Sequence, residues 1–250
     1  MKTDTKKKYL VRPELRELKP YVSPVYAFQR KMDLNESPFD LPQELKREIF
    51  SRLESDPWQR YHDELEHPLK EALALYSGHT PQGVLIGNGS DELIFHALLA
   101  CVPQGGAVVF PEPSFPLYRQ NAVIIGGRPA AFRLHREDFA ADPETVIRLA
   151  AEKEARAVVL CSPNNPTGNR LPNEVIRKIA LGAACPVIVD EAYMHFAGDN
   201  AFELLAGCPS LVILRTFSKA FCLAGMRFGY CLCSPELAAE IAKVQLPHHV

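Results

Sequence analysis

The sequence predicts an α/β fold, a three-layer αβα arrangement around a mainly parallel, mixed sheet. Three observations carry this. Short apolar runs such as Ala107-Val108-Val109-Phe110 and Pro186-Val187-Ile188-Val189 recur along the chain, segments with helical spacing separate several of them, and four of the runs end in polar residues. Runs without polar alternation are what strands show when helices cover both faces of a sheet. Their alternation with helical segments is the pattern of parallel βα units.

The elements follow in order. Prolines 13, 20 and 24 punctuate residues 1–37, with Pro38 at the boundary, and periodicity there is weak. That stretch is expected to be an N-terminal arm lying over a neighbour. Residues 38–250 are expected to form one sheet-centred domain. Within them Leu41–Leu53 and Pro68–Tyr76 have helical spacing, and Gly83-Val84-Leu85-Ile86 reads as a short strand ending at Gly87-Asn88-Gly89. Ser90–Leu99 is an apolar-faced helix whose start carries capping residues, which completes the first βα unit. Further strands are predicted at Ala107–Phe110, Ala157–Cys161, Pro186–Asp190, Leu211–Leu214 and Arg227–Cys233.

Composition narrows the function. With 47% apolar residues the chain can build a substantial core, and 28 basic against 30 acidic residues favour neither a nucleic-acid nor an anionic-membrane partner. Lys6-Lys7-Lys8 reads as a solvated tail. No apolar stretch reaches the roughly 18 residues of a membrane span, and the N-terminus lacks the apolar core of a signal peptide, so a cytoplasmic protein is expected. The 7 cysteines are an odd number without a C-x-x-C pair, which favours reduced thiols over disulfides or a metal site. Cys231 and Cys233 read as two residues on one face of a strand.

The strand ends carry the chemistry, because carboxyl termini of parallel strands lie along one edge, where open α/β sheets bind ligands. Past Leu214 comes Thr216-Phe217-Ser218-Lys219, with Arg227 eight residues beyond Lys219. A lysine beside hydroxyls and an arginine suits an amine that forms a Schiff base next to a bound phosphate. Ser162–Gly168 is a stiff, proline-held loop whose Asn165 can aim donors at a ligand oxygen, although an ordinary tight loop has the same composition. Asp190 stands at a strand tip with Tyr193 three residues on. A buried carboxylate there needs a cation, such as a protonated ring nitrogen. A magnesium ligand or a helix N-cap are the alternatives, and the chain has no G-x-x-x-x-G-K-[ST] loop to support the nucleotide reading. The turn Gly87–Asp91 can offer backbone N–H groups to a phosphate, and Phe115 is either a core ring or a platform for a flat heterocycle. Read together, Gly89, Ser90, Thr216, Ser218 and Arg227 for a phosphate, Phe115 for a flat ring, Asp190 for its nitrogen, Asn165 and Tyr193 for its oxygen and Lys219 for a carbonyl describe pyridoxal 5'-phosphate (PLP).

Asp33–Pro38, Arg60-Tyr61, Gly87–Ile94, Pro113–Phe115, Ser162–Gly168, Asp190–Tyr193 and Thr216–Tyr230 occur in the order found in one family. On these motifs the chain resembles the fold-type I (class II) PLP-dependent aminotransferases and, within them, the histidinol-phosphate aminotransferase branch. The resemblance implies Lys219 as the catalytic lysine that holds the internal aldimine, and an amino transfer between an amino donor and a 2-oxo acid. It implies Asp190 at the pyridine nitrogen, Asn165 and Tyr193 at the 3'-oxygen, Phe115 on the ring, and Ser90, Asp91, Thr216, Ser218 and Arg227 around the phosphate. Tyr61 would reach the partner subunit's cofactor in a homodimer, and Tyr21 and Asn35 would approach substrate. A threonine-phosphate decarboxylase-like enzyme shares these cofactor residues, and a non-catalytic PLP-binding homologue is a further alternative. Three departures stand out. His62, with Glu64 two residues on, replaces the proline that usually follows the Arg-Tyr pair, and Cys222 replaces a glycine, where a side chain could crowd the turn that aims Lys219. The sequence ends at Val250, so the family's C-terminal small domain, with its carboxylate-gripping arginine, is expected to be lacking.

Overall fold

The computed structural model describes residues 12–16, 18–21, 27, 31–61 and 68–247. The Lys6–Lys8 run, Pro24, His62, Glu64 and Val250 lie outside the described residues. Seven strands form one sheet in the order β1-β7-β6-β5-β4-β2-β3: β1 (Val84–Gly87), β2 (Ala107–Glu112), β3 (Arg128–Arg133), β4 (Ala155–Cys161), β5 (Val187–Asp190), β6 (Leu211–Thr216) and β7 (Gly229–Leu232). Neighbouring strands are parallel except at β7, which runs antiparallel to both β1 and β6. The sheet is therefore mixed and mainly parallel, as the apolar runs predict.

The described residues form seven α-helices: α1 (Gln43–Ser55), α2 (Pro68–Ser77), α3 (Ser90–Cys101), α4 (Leu117–Ile124), α5 (Pro143–Glu152), α6 (Asn173–Gly182) and α7 (Pro235–Ala242). Strand alternation divides the core into two layers. Val158, Leu160, Val187, Val189, Leu211 and Ile213 pack with Leu73 of α2, Val146 of α5 and Ile176 and Ile179 of α6. On the opposite face Val159, Cys161, Ile188, Val212 and Leu214 pack with Leu93 and Ile94 of α3, Tyr118 of α4 and Ile241 of α7. Successive strand residues thus serve opposite layers, because side chains alternate across a strand, and both layers are apolar and buried. Among the described residues no helix is long and apolar enough to cross a membrane.

The edge strand β3 adds to the predicted strands: only Phe132 of Arg-Pro-Ala-Ala-Phe-Arg is buried, and an edge strand needs no continuous apolar run. One expectation is corrected. The helix at Ser90 has no side-chain cap: Gly89 is the N-cap and Ser90 already occupies the first helical position. Glu92 reaches back instead, its carboxylate accepting from Asn88 N–H at 2.7 Å. Helix α1 forms close to its predicted span, yet none of its residues is buried.

Candidate active site

Sheet register aligns the strand ends. Cys161 pairs with Asp190, Asp190 with Leu214, and Gly229 with both Thr216 and Gly87. Because β7 is antiparallel, the start of β7 and the ends of β1, β4, β5 and β6 meet at one edge. Loops from that edge enclose a cleft of about 590 Å³. Ser90, Asp91, Phe115, Asn165, Asp190, Tyr193, Thr216, Ser218, Lys219, Arg227, Tyr21 and Asn35 all line it. Tyr61 does not; it is 81% exposed, away from the cleft of its own chain.

Lys219 lies between the arm and the sheet edge. Its amine donates to the Leu34 carbonyl at 2.7 Å and stands 5.7 Å from the centre of the Tyr193 ring. Burial lowers the Lys219 pKa, opposed by the charges of Asp91 and Glu36, so the neutral amine is easier to reach than on a free lysine. Tyr193 is held from the arm as well, its oxygen accepting from Asn35 Nδ2 at 2.9 Å. Asp190 is buried; its Oδ2 accepts from Tyr118 Oη at 2.8 Å and its Oδ1 from Ala192 N–H at 3.0 Å. Burial raises its pKa to about 6 although both donors favour the charged form. Among the described residues it has no ion-pair partner.

The other end of the cleft is a cradle of donors at the start of α3. The Arg227 guanidinium donates to Ser218 Oγ at 3.3 Å and to the Asn88 carbonyl at 3.4 Å, and Thr216 Oγ1 lies 3.0 Å from Ser218 Oγ. Gly89 makes the approach possible: a Cβ there would sit 2.6 Å from Arg227 Nη2. Gly229 does the same for the backbone, since its Cβ would meet Ser90 N at 2.6 Å. Arg227 itself adopts φ 53°, a left-handed conformation that an L side chain seldom takes. Asp91 stands 3.9 Å from Arg227, and burial raises its pKa while Arg227 and Lys219 pull the other way.

Other predicted positions have different surroundings. Asn164, beside Asn165, is consumed by the loop itself, donating to the Pro113 carbonyl and to Thr167 Oγ1 and accepting from Ser114 Oγ. Cys222 adopts φ 58°, which accounts for glycine as the cheaper residue there. Its thiol does not crowd the Lys219 turn but packs against Ser37 Oγ at 3.0 Å, and Cys222 N–H closes the turn on the Lys219 carbonyl at 3.2 Å. All seven cysteines are free, and Cys231 and Cys233 lie 4.0 Å apart on one face. Among the described residues no group of three or more His, Cys, Asp or Glu side chains could hold a metal ion.

Sequence reasoning missed two groups. Tyr118 follows Phe115 by three residues, the spacing that sets side chains together at a helix start, and this was the available signal. Glu191 and Arg215 form a buried ion pair, Nε to Oε2 at 2.9 Å, with Asn200 accepting from the same guanidinium at 3.0 Å. Each flanks a site residue, Asp190 and Thr216, on adjacent strands.

Comparison with known proteins agrees with this geometry. The chain is 42% identical over 238 residues to a histidinol-phosphate aminotransferase of Chlorobium phaeovibrioides, covering 94% of this chain and 66% of that protein. It is 42% identical over 242 residues to the protein of the same name from Thermococcus kodakarensis, covering 96% and 70%. The structure of histidinol-phosphate aminotransferase from Sinorhizobium meliloti in complex with pyridoxal-5'-phosphate superposes with a TM-score of 0.77 at 30% identity, covering 85% of this chain and 58% of that one. Aspartate aminotransferase from Thermus thermophilus with maleate gives a TM-score of 0.72 at 26% identity, covering 84% and 58%. The chain thus spans about two thirds of the curated relatives' length. Residues 29–250 match the family described as aminotransferase class I and II, and the chain belongs to that family.

Proposed function

We propose that this chain builds the cofactor site of a PLP-dependent aminotransferase of the histidinol-phosphate type, which moves an amino group between an amino donor and a 2-oxo acid. Residues 38–250 would be its PLP-binding large domain and residues 1–37 its arm, and it would act as a cytoplasmic homodimer. One observation carries the reading: the Lys219 amine, the buried Asp190 carboxylate and the donor cradle of Ser90, Thr216, Ser218 and Arg227 meet in one cleft.

The residues fit the cofactor. Asp190 is a buried carboxylate without a cation partner among the described residues, and a protonated ring nitrogen would be that partner. The Gly89 turn leaves no room for a Cβ, two hydroxyls and a guanidinium face the same space, and the start of α3 adds a positive dipole end for a phosphate. Phe115 lines the cleft as a ring platform, and Asn165 and Tyr193 line it where an oxygen could be held. When bound, PLP supplies an electron sink for bonds at the substrate's α-carbon. Lys219, with its amine made less basic by burial, can attack a carbonyl and later accept a proton from that α-carbon. The arm meets the cleft through the Asn35–Tyr193 contact and the turn after Lys219 through the Cys222–Ser37 contact.

The homodimer is supported by exposed Tyr61, Trp58 and Phe50 around an α1 that buries none of its residues. The cytoplasmic location is supported by seven unpaired thiols, which suit a reducing compartment. Absorbance titration with PLP tests the site. The wild-type chain is expected to develop the visible band of lysine-bound cofactor and to transfer amino groups when offered a panel of amino donors, whereas Lys219→Ala does neither. A Lys219→Ala chain that keeps both the band and the transfer would sink the assignment.

A further inference from the structure

Tyr118 forms part of the cleft's buried wall and touches two of its other residues. It belongs to the first turn of α4 and is fully buried. Its hydroxyl donates to Asp190 Oδ2 at 2.8 Å, and its ring meets Phe115 edge to face at 5.8 Å between centroids. Phe115 in turn meets Tyr21 at 6.2 Å. A phenol is costly in a dry layer unless its hydroxyl is bonded, and the surrounding layer of Val108, Phe110, Val159 and Ile188 would accept a phenylalanine. The polar atom is therefore accounted for by Asp190.

We propose that Tyr118 is a positioning residue of this site: its hydroxyl keeps the Asp190 carboxylate ionised and in one orientation while its ring supports Phe115. The ring nitrogen and the ring face of the cofactor would then be received by one preformed unit. This rests on Asp190 being the partner of the ring nitrogen. The groups around Asp190 explain why a donor is needed. Tyr118 faces it from α4, Cys161 from β4 and Asp91 from α3, Glu191 follows it, and Tyr193 and Lys219 approach from loops. Burial and the acids Asp91 and Glu191 oppose ionisation, which Tyr118 and Ala192 N–H favour. Removing a donor from a buried carboxylate drives it towards its neutral form, which cannot pair with a cation.

Tyr118→Phe keeps the ring and removes the hydroxyl. Two measurements on the full chain follow it: the carboxyl carbon shift of Asp190 against pH without cofactor, and PLP affinity against pH. The Asp190 midpoint is expected to rise by about one unit, and PLP binding to weaken about twofold at pH 7 and towards tenfold below pH 6, the size of a lost charge-assisted hydrogen bond, with the loss vanishing above pH 8. Replacing Tyr118 with 3-fluorotyrosine, a stronger donor, should move the midpoint down. A lower melting temperature with both pH profiles unchanged would make Tyr118 a packing residue only and overturn the proposal. Asp190→Asn separates the two levels. If it loses PLP while Tyr118→Phe matches the wild type, the Tyr118 role alone fails; if it binds PLP as the wild type does, the reading of Asp190 fails and takes the proposal with it.

Discussion

Asp190 is where sequence and environment pull hardest against each other. The residue is charged at neutral pH in the unfolded chain, where its pKa is 3.8, but burial raises it to about 6 in the fold. The sign follows directly: between about pH 4 and 6 the folded chain binds more protons than the unfolded one, so stability falls as pH rises through that window. The contribution is at most about 3 kcal/mol for a shift of that size. Cofactor-free Asp190→Asn is therefore expected to be more stable than wild type at pH 8 and by a clearly smaller margin at pH 4.5, with the Tyr118 hydroxyl free to turn and serve either amide atom. Melting curves at the two pH values check this, and a variant less stable at pH 8 would refute it. Arg227 shows the same tension in its backbone. It keeps φ 53°, where glycine would be less strained, and its guanidinium bonds to Ser218 and Asn88. A strained residue whose side chain faces a cleft is the pattern expected of a functional position.

At the scale of elements, the strands were legible because each is buried on both faces and so shows an unbroken apolar run; β4, β5 and β6 are the clearest. The edge strand β3 was not, since one exposed side relaxes that requirement. The site was legible to the degree that its residues stand at strand ends. Lys219, Asp190 and the Gly87–Asp91 turn have that placement, whereas Tyr118 reaches Asp190 from a helix 72 residues away, and no local pattern encodes such a meeting. The Glu191–Arg215 pair was hidden for the same reason, being made between the residue that follows β5 and a residue of β6. Its side chains are 2% and 4% exposed, so neither charge has water to turn to. Burial pushes the Glu191 carboxyl above its ordinary value while Arg215 and Ala201 N–H pull it back. Arg215→Met should thus strand the carboxylate and cost about 3–5 kcal/mol at pH 8, and less at pH 5 as Glu191 takes up a proton. Adding Glu191→Gln should restore part of the loss. Urea unfolding of the two variants decides it; a single variant that loses nothing would mean the pair is solvated after all.

On the scale of the whole molecule, the sheet and its two helical layers bury their apolar faces, but α1 and the segment after it do not. Phe50 is 68% exposed, Trp58 80% and Tyr61 81%, and Phe50, Leu53 and Trp58 lie together around one shallow groove. Large exposed rings gathered in one region mark an association surface. The proposed homodimer gives this surface a role, and it also explains why Tyr61 lies apart from the cleft of its own chain: it would complete the cofactor site of the other. Phe50→Asp with Trp58→Asp should therefore shift the chain towards monomer in sedimentation velocity and weaken PLP binding, although neither residue lines the cleft. Exchange between chains separates a missing tyrosine from a misfolded surface. Tyr61→Ala chains should bind PLP weakly, and Lys219→Ala chains should lack the visible band. When the two are mixed and allowed to exchange, the heterodimer has one site with both Lys219 and Tyr61 intact, so tight binding with the visible band should return to part of the population. If mixing restores nothing while the chains still associate, Tyr61 does not serve the neighbouring site.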